Sequence, residues 1–240
     1  MTLTTSLIVI AFAALIHASF QLSVSVLTLM SGHAIGRRTA HIRLVRMMTG
    51  FTAGVGVMTM LLISFTAFTI NQLYHGVIPM VVWALACGIL VGVGISVWRF
   101  YYRKSRGTSL WVPRSIARYL DERSKATKRS AEAFGLGLGS ITGELLFIAA
   151  PLIISTLALV QLPPLWQLGG ILLYTAISLA PLVIISALIG GGHTLSQIQR
   201  WRATNKHFLQ FAAGSGLLVL GGYVYVEQVI TVSVIAMGGQ

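Results

Sequence analysis

Cysteine is nearly missing from this sequence. Cys87 stands alone among 240 residues, so the chain can form no intrachain disulfide, no CxxC redox centre and no cysteine-based zinc cluster. A small buried helix residue is the reading left for it. Negative charge is almost as scarce, with five Asp and Glu against seventeen Lys and Arg. No nucleophile–base pair, no arrangement resembling paired catalytic carboxylates and no cofactor motif can be found. The expectation is therefore a protein that is not an enzyme and holds neither cofactor nor metal.

What is present is apolar length. The chain is 55% hydrophobic and 9% charged, with a mean hydropathy of +0.83, which excludes both an ordinary soluble domain and a disordered one. Six segments are long enough to span a bilayer, approximately 5–30, 47–70, 77–99, 134–160, 165–190 and 207–230. The expected fold is all-α, a polytopic membrane protein with six transmembrane helices and no room for a separate soluble domain. Residues 1–240 then form a single transmembrane domain: a first three-helix half (1–99), a basic loop (100–133) and a second three-helix half (134–240).

A formal charge of +12 raises nucleic acid as a partner, and the placement of the charges answers it. Four of the seventeen basic residues lie between Arg37 and Arg46, ten between Arg99 and Arg129, and three between Arg200 and Lys206. The connections at 71–77 and 161–165, and both termini, carry none. Cationic and neutral loops alternate. By the positive-inside rule this puts the basic loops in the cytoplasm and both termini outside, in a plasma membrane such as a bacterial inner membrane. That use of charge is sufficient without nucleic acid. The opening MTLTTS has no basic n-region, so the first helix is expected to be retained.

The richest stretch is Phe134–Ser155, FGLGLGSITGELLFIAAPLIIS. Gly135, Gly139 and Gly143 recur every fourth residue, which predicts a close-packing face. Glu144 follows about 15 Å along the helix from Phe134, near the middle of a ~30 Å hydrocarbon core. A carboxylate at that depth is costly and usually functional, as a solute or proton site, although burial for packing alone is the competing reading. Pro151 has no amide hydrogen for the carbonyl of Phe147, which favours a kink. Pro181 does the same for Ile177 in the fifth helix, where Tyr174, Thr175 and Ser178 precede it.

On the first helix, His17, Gln21 and Ser25 fall four apart, with Thr28 three further on, and make a polar stripe that must avoid lipid. His17 sits near the same depth as Glu144, so a contact between the two is an expectation. The expected solute or proton site is thus Glu144, His17, Gln21, Ser25 and Ser178. In the following loop His33 and His41 have no carboxylate near them, and a solvated polar loop is favoured over a metal site. In the 110–130 loop Val112, Ile116, Tyr119 and Leu120 fall on one face after Pro113. This predicts a short amphipathic helix on anionic lipid headgroups, each basic residue adding about 1 kcal/mol of attraction.

Two internal symmetries compete. Gly32–His33 and Phe51, Ala53, Gly54 and Gly56 recur 160 residues later as Gly192–His193 and Phe211, Ala213, Gly214 and Gly216, suggesting a repeated hairpin. The charge-derived topology instead makes the two halves an inverted 3+3 pair.

Two apolar halves around a basic loop resemble the lysine-exporter superfamily, which includes the membrane domains of the thiol-transfer proteins of cytochrome c biogenesis. The likeness lies in a fourth helix with glycines and proline (Gly135 to Pro151) and a Gly-rich sixth helix after a basic turn (Arg200 to Gly222). The thiol-transfer branch uses a membrane cysteine in each half, and the lone Cys87 departs from that. The resemblance implies export of a small solute or cation. Three functions are weighed: a secondary transporter; a non-transporting subunit, immunity or assembly protein, alone, as a homo-oligomer or with a membrane partner; and, least supported, an embedded enzyme.

The topology has a direct check. In a Cys87→Ala background, single cysteines at 110 and 125 are expected to react with impermeant thiol reagents only after the membrane is opened, and labelling in intact cells from outside would overturn the orientation.

Overall fold

The computed structural model describes residues 1–20, 38–101, 122–123, 127, 129–191, 197, 200–201 and 204–238. Among them every regular element is helical: α1 (Leu3–Phe20), α2 (Arg38–Tyr74), α3 (Met80–Ser96), α4 (Ser130–Val160), α5 (Pro164–Gly190), α6 (Lys206–Tyr225) and α7 (Thr231–Gly238). Two π-helical turns interrupt the pattern, Val97–Tyr101 after α3 and Val226–Ile230 between α6 and α7. An apolar chain has this outcome because only a helix satisfies each backbone group within its own segment.

Five helical stretches are long and apolar enough to cross a membrane: Leu3–Phe20, Leu44–Tyr74, Met80–Arg99, Pro164–Gly190 and His207–Val234. A sixth is the pair Ser130–Leu145 and Phe147–Val160, if its two limbs count as one span. α2 has 37 residues, about 55 Å at 1.5 Å per residue, well beyond a ~30 Å core. Arg38, Arg43 and Arg46 lie in its first turns, on helix where the sequence suggested loop. The short connections are made by backbone chemistry. His75 (φ 50°) and Gly76 (φ 82°) turn the chain left-handed after α2, and Pro164 opens α5 where no amide is needed.

α4 is the helix that the others gather on, packing with α1, α2, α3 and α5. Its closest neighbour is α2. A Cβ at Gly54 would run into the carbonyl of Phe134, and one at Gly137 into the carbonyl of Phe51. At Gly50 it would meet the Ser130 carbonyl at 2.6 Å, and the Ser130 hydroxyl donates to the carbonyl of Arg46 at 3.1 Å. These helices therefore touch backbone to backbone. The predicted Gly135, Gly139 and Gly143 face is not that contact. Gly135 and Gly139 are exposed, and a Cβ on either meets nothing within 4 Å. Gly137, two residues out of that series and so about 200° round the helix from Gly135, makes the approach, and Gly143 is buried further along.

Residue pairing fixes relative directions. Gly50 lies by Ser130 and Gly54 by Phe134, so α2 and α4 run parallel there. Ile10 meets Gly170 and His17 meets Tyr174, so α1 and α5 are parallel. Gly94 and Trp98 meet Gly214 while Leu90 and Val91 meet Gly221, so α3 and α6 are antiparallel. Trp98 stacks on Phe211 with centroids 5.5 Å apart and planes 7° apart.

Two apolar clusters result. One joins α1, α3, α6, the Phe147–Val160 limb of α4 and Tyr174 of α5, with Ile63 from α2. The other joins the first half of α2 (Leu44–Val55), Ala133–Ile148 of α4 and Leu182, Ile185 and Ile189 of α5. The two limbs of α4 meet at 90°, at the residues just before Phe147, whose carbonyl Pro151 cannot serve. α5, in contrast, continues through Pro181 as one helix from Pro164 to Gly190. There Thr175 donates to the carbonyl of Ile171 (2.8 Å) and Ser178 to that of Thr175 (3.0 Å), local bonding of the kind that lets a spanning helix absorb proline.

Gly54→Ala and Gly137→Ala should each destabilise the protein by about 1–3 kcal/mol, since the obstructing atoms are backbone and cannot swing aside. Gly139→Ala should be neutral or gain up to about 1 kcal/mol from helix propensity. Unfolding midpoints of the three variants in detergent check the ranking, and equal losses at all three would defeat it.

Candidate functional site

Several buried polar side chains lie at or near the places where α2, α4 and α5 pass from one apolar cluster to the other, and one lies on α1. On α2, Thr59 falls between Val55 of the α2–α5 cluster and Ile63 of the α1–α3–α6 cluster. On α5, Thr175 and Ser178 fall between Tyr174 and Leu182. On α4, Ser140 and Glu144 share a face one turn apart, just ahead of the bend. On α1, His17 follows Ile16, one turn before the described part of the helix ends. His17, Thr59, Ser140, Glu144 and Ser178 have no exposed surface. Thr59, Thr175 and Ser178 thus mark a polar seam between two apolar bodies, with Ser140 and Glu144 on its α4 side and His17 within the α1–α3–α6 body.

Most hydroxyls in the seam are tied to their own helices. Thr59 donates to the carbonyl of Val55 at 2.9 Å and Ser140 to that of Gly137 at 2.8 Å. Such intrahelical bonds let a hydroxyl sit in an apolar interior without a partner helix. Glu144 is different in kind, because it is an ionisable group with no exposed surface, and its burial is costly in either protonation state unless it is bonded. It lies between Ile141 and Ile148, both fully buried in the α2–α5 cluster.

His17 also reaches across helices. Its Nδ1 lies 3.0 Å from the hydroxyl of Tyr174, and the two rings are 5.6 Å apart at 48°. Its Nε2 is buried with no hydrogen-bond partner among the described residues. The contact with Glu144 expected from common depth is replaced by this one, and helix register explains why. Phe20 stacks on Phe147 at 5.7 Å, while Ile10 and Leu159 converge on Gly170. α1 and the second limb of α4 are thus antiparallel, with His17 level with Pro151. Glu144 lies seven residues earlier, about 10 Å along a helix, and beyond a right-angle bend.

The sequence-derived site is therefore partly assembled. Glu144, His17 and Ser178 are all buried, with His17 and Glu144 at separate levels. Gln21 and Ser25, like the predicted amphipathic helix of the 110–130 loop and the His33 side of the first loop, lie outside the described residues. Sequence reading missed Tyr174 as a site residue although a signal existed, since a phenol in mid-span needs a partner for its hydroxyl. Thr59 and Ser140 gave no such signal. Cys87 is buried in α3. Among the described residues no group of three or more His, Cys, Asp or Glu is placed to hold a metal ion.

No protein-family profile, no curated protein and no solved structure matches this chain.

Tyr174→Phe should destabilise the protein by about 1–3 kcal/mol, the cost of stranding a buried imidazole nitrogen. With His17→Leu already present the same substitution should cost much less. Thermal unfolding of the two single variants and the double variant checks this, and additive losses would mean that the hydrogen bond contributes nothing.

Proposed function

We propose that the protein is a multi-pass secondary transporter of a small solute or cation in a plasma membrane. An exporter is the form suggested by its resemblance to the lysine-exporter superfamily. Glu144 is the proton or solute site. The observation that carries this reading is a fully buried carboxyl group placed beside a 90° break in its own helix, since intramembrane ionisable residues and interrupted helices both mark transport sites. The six stretches counted with α4 as one span, both ends outside and the basic loops inside, are the topology proposed for it.

Helix packing supports an inverted 3+3 arrangement. Exchanging α1 with α4, α2 with α5 and α3 with α6 turns the α2–α4 contact into α5–α1, and α1–α6 into α4–α3. It returns α1–α4, α2–α5 and α3–α6 to themselves. Of the packed pairs only α4–α5 lacks its counterpart among the described residues. The rival hairpin repeat would pair α1 with α2 and α5 with α6, and neither pair packs extensively.

A non-transporting membrane subunit is the second reading, favoured by the hydroxyls of Thr59 and Thr175, which among the described residues bond within their own helices. Proteoliposome flux of candidate amino acids and cations across an imposed pH gradient separates the two. Glu144→Gln, which keeps volume and removes the ionisable group, should stay folded and lose at least tenfold of the pH-driven flux. Undiminished flux in that variant would remove Glu144 from the site, and no flux in the parent over a broad panel would favour the subunit.

A further inference from the structure

The His17–Tyr174 pair has a polarity that hydrogen-bond counting resolves. A neutral imidazole offers one N–H and one bare nitrogen, and a phenol offers one O–H. If Nδ1 carried the hydrogen and donated to Tyr174, the phenolic O–H would lose its acceptor and the bare Nε2 would lack a donor. Two groups would be stranded in a fully buried site. If the phenol donates to Nδ1, only the Nε2–H is left over. A doubly protonated ring would strand both the Nε2–H and the phenolic O–H. The count selects Tyr174 as donor and His17 as the Nε2–H tautomer, because an unmet buried hydrogen-bonding group carries its full desolvation cost.

The unmet N–H is held in place. Ile16, next to His17, packs on α6 at Gly216, and Phe12 lies against the same glycine. On the opposite side Tyr174 has no exposed surface and belongs to the α1–α3–α6 cluster. The donor is thus fixed at the crossing of α1, α4, α5 and α6, at the level of Pro151 and apart from Glu144.

We infer that His17 Nε2–H is a second binding position for the transported solute, one that takes an oxygen acceptor such as a carboxylate or amide carbonyl, with Tyr174 as the positioning residue that holds the ring in its donor tautomer. This rests on the transport reading. It adds that the solute carries an acceptor oxygen and passes two stations, a carboxyl group at Glu144 and a neutral donor at His17. A solute made only of donors, such as a simple ammonium ion, has nothing to offer the second.

The test uses the full-length protein in lipid nanodiscs with ¹⁵N-labelled histidine, the His17 signals being identified by their loss in His17→Gln and, independently, by their change in Tyr174→Phe. The parent should show a protonated Nε2 and a bare, hydrogen-bonded Nδ1. Acetate and acetamide should each shift the Nε2 signal saturably, and methylammonium, a donor-only probe, should leave it in place. In Tyr174→Phe the ring should move to a mixture of tautomers and the acetate response should weaken severalfold. A protonated Nδ1 in the parent would overturn the assignment. So would an Nε2–H that exchanges magnetisation with water and ignores both acceptor probes, which would make the position a structural water site. A saturable acetate response in a protein without measurable flux would keep the acceptor site and remove the transport reading, so the two fail separately.

Discussion

The contact on which this structure depends is the approach of α2 and α4 without intervening side chains. In hydrocarbon there is no hydrophobic force to press two apolar helices together, and association relies on packing surface and on bonds between helices. Gly50, Gly54 and Gly137 supply that surface by letting carbonyls of one helix rest against the backbone of the other. Once the first limb of α4 is fixed along α2, its second limb is turned away at the bend and delivered to α1, α3 and α6. One helix thereby belongs to two apolar bodies, and Glu144 is carried to the place where they meet.

The seam collects polar groups for a reason that does not depend on function. Where a helix leaves one well-packed body for another, neither body offers a complete set of apolar neighbours, and a hydroxyl bonded within its own helix fills the gap at little cost. Thr59 and Thr175 are explained that far. His17 and Glu144 are not, because His17 reaches across helices to Tyr174 and Glu144 is an ionisable group with no exposed surface, and they are what turns a packing boundary into a candidate site.

The helical class and the apolar spans were legible in the sequence because hydropathy and the obligation to satisfy backbone groups act locally. The extent of α2 was less so, since the positions of Arg38 to Arg46 suggest loop while the helix simply extends past the apolar core. Glycine spacing showed that α4 has small residues but not which of them meets a neighbour. Gly135 and Gly139 form a tidy series of four, yet Gly137 is the contact, because helix rotation is decided by the partner and not by periodicity. Register was not readable. His17 and Glu144 share a depth by residue count, but the pairing of Phe20 with Phe147 slides the helices so that His17 reaches Tyr174. The two prolines gave the same local signal and had different outcomes: α5 runs on through Pro181 as one helix, whereas α4 bends ahead of Pro151.

The π-helical turns at Val97–Tyr101 and Val226–Ile230 bear on how this chain tolerates changes in length. A π turn holds one residue more than the α-helix around it, and each residue rotates the downstream helix by about 100°. The Val226–Ile230 turn therefore sets the rotational phase of Thr231–Gly238 independently of α6. The Gly214 and Gly221 contacts lie upstream of it. Loss of one residue from that turn would leave the α3–α6 pairing intact while swinging the face of the terminal segment by more than a quarter turn, so the end of the chain can be re-aimed by a single codon while the helix pair that carries it stays as it is.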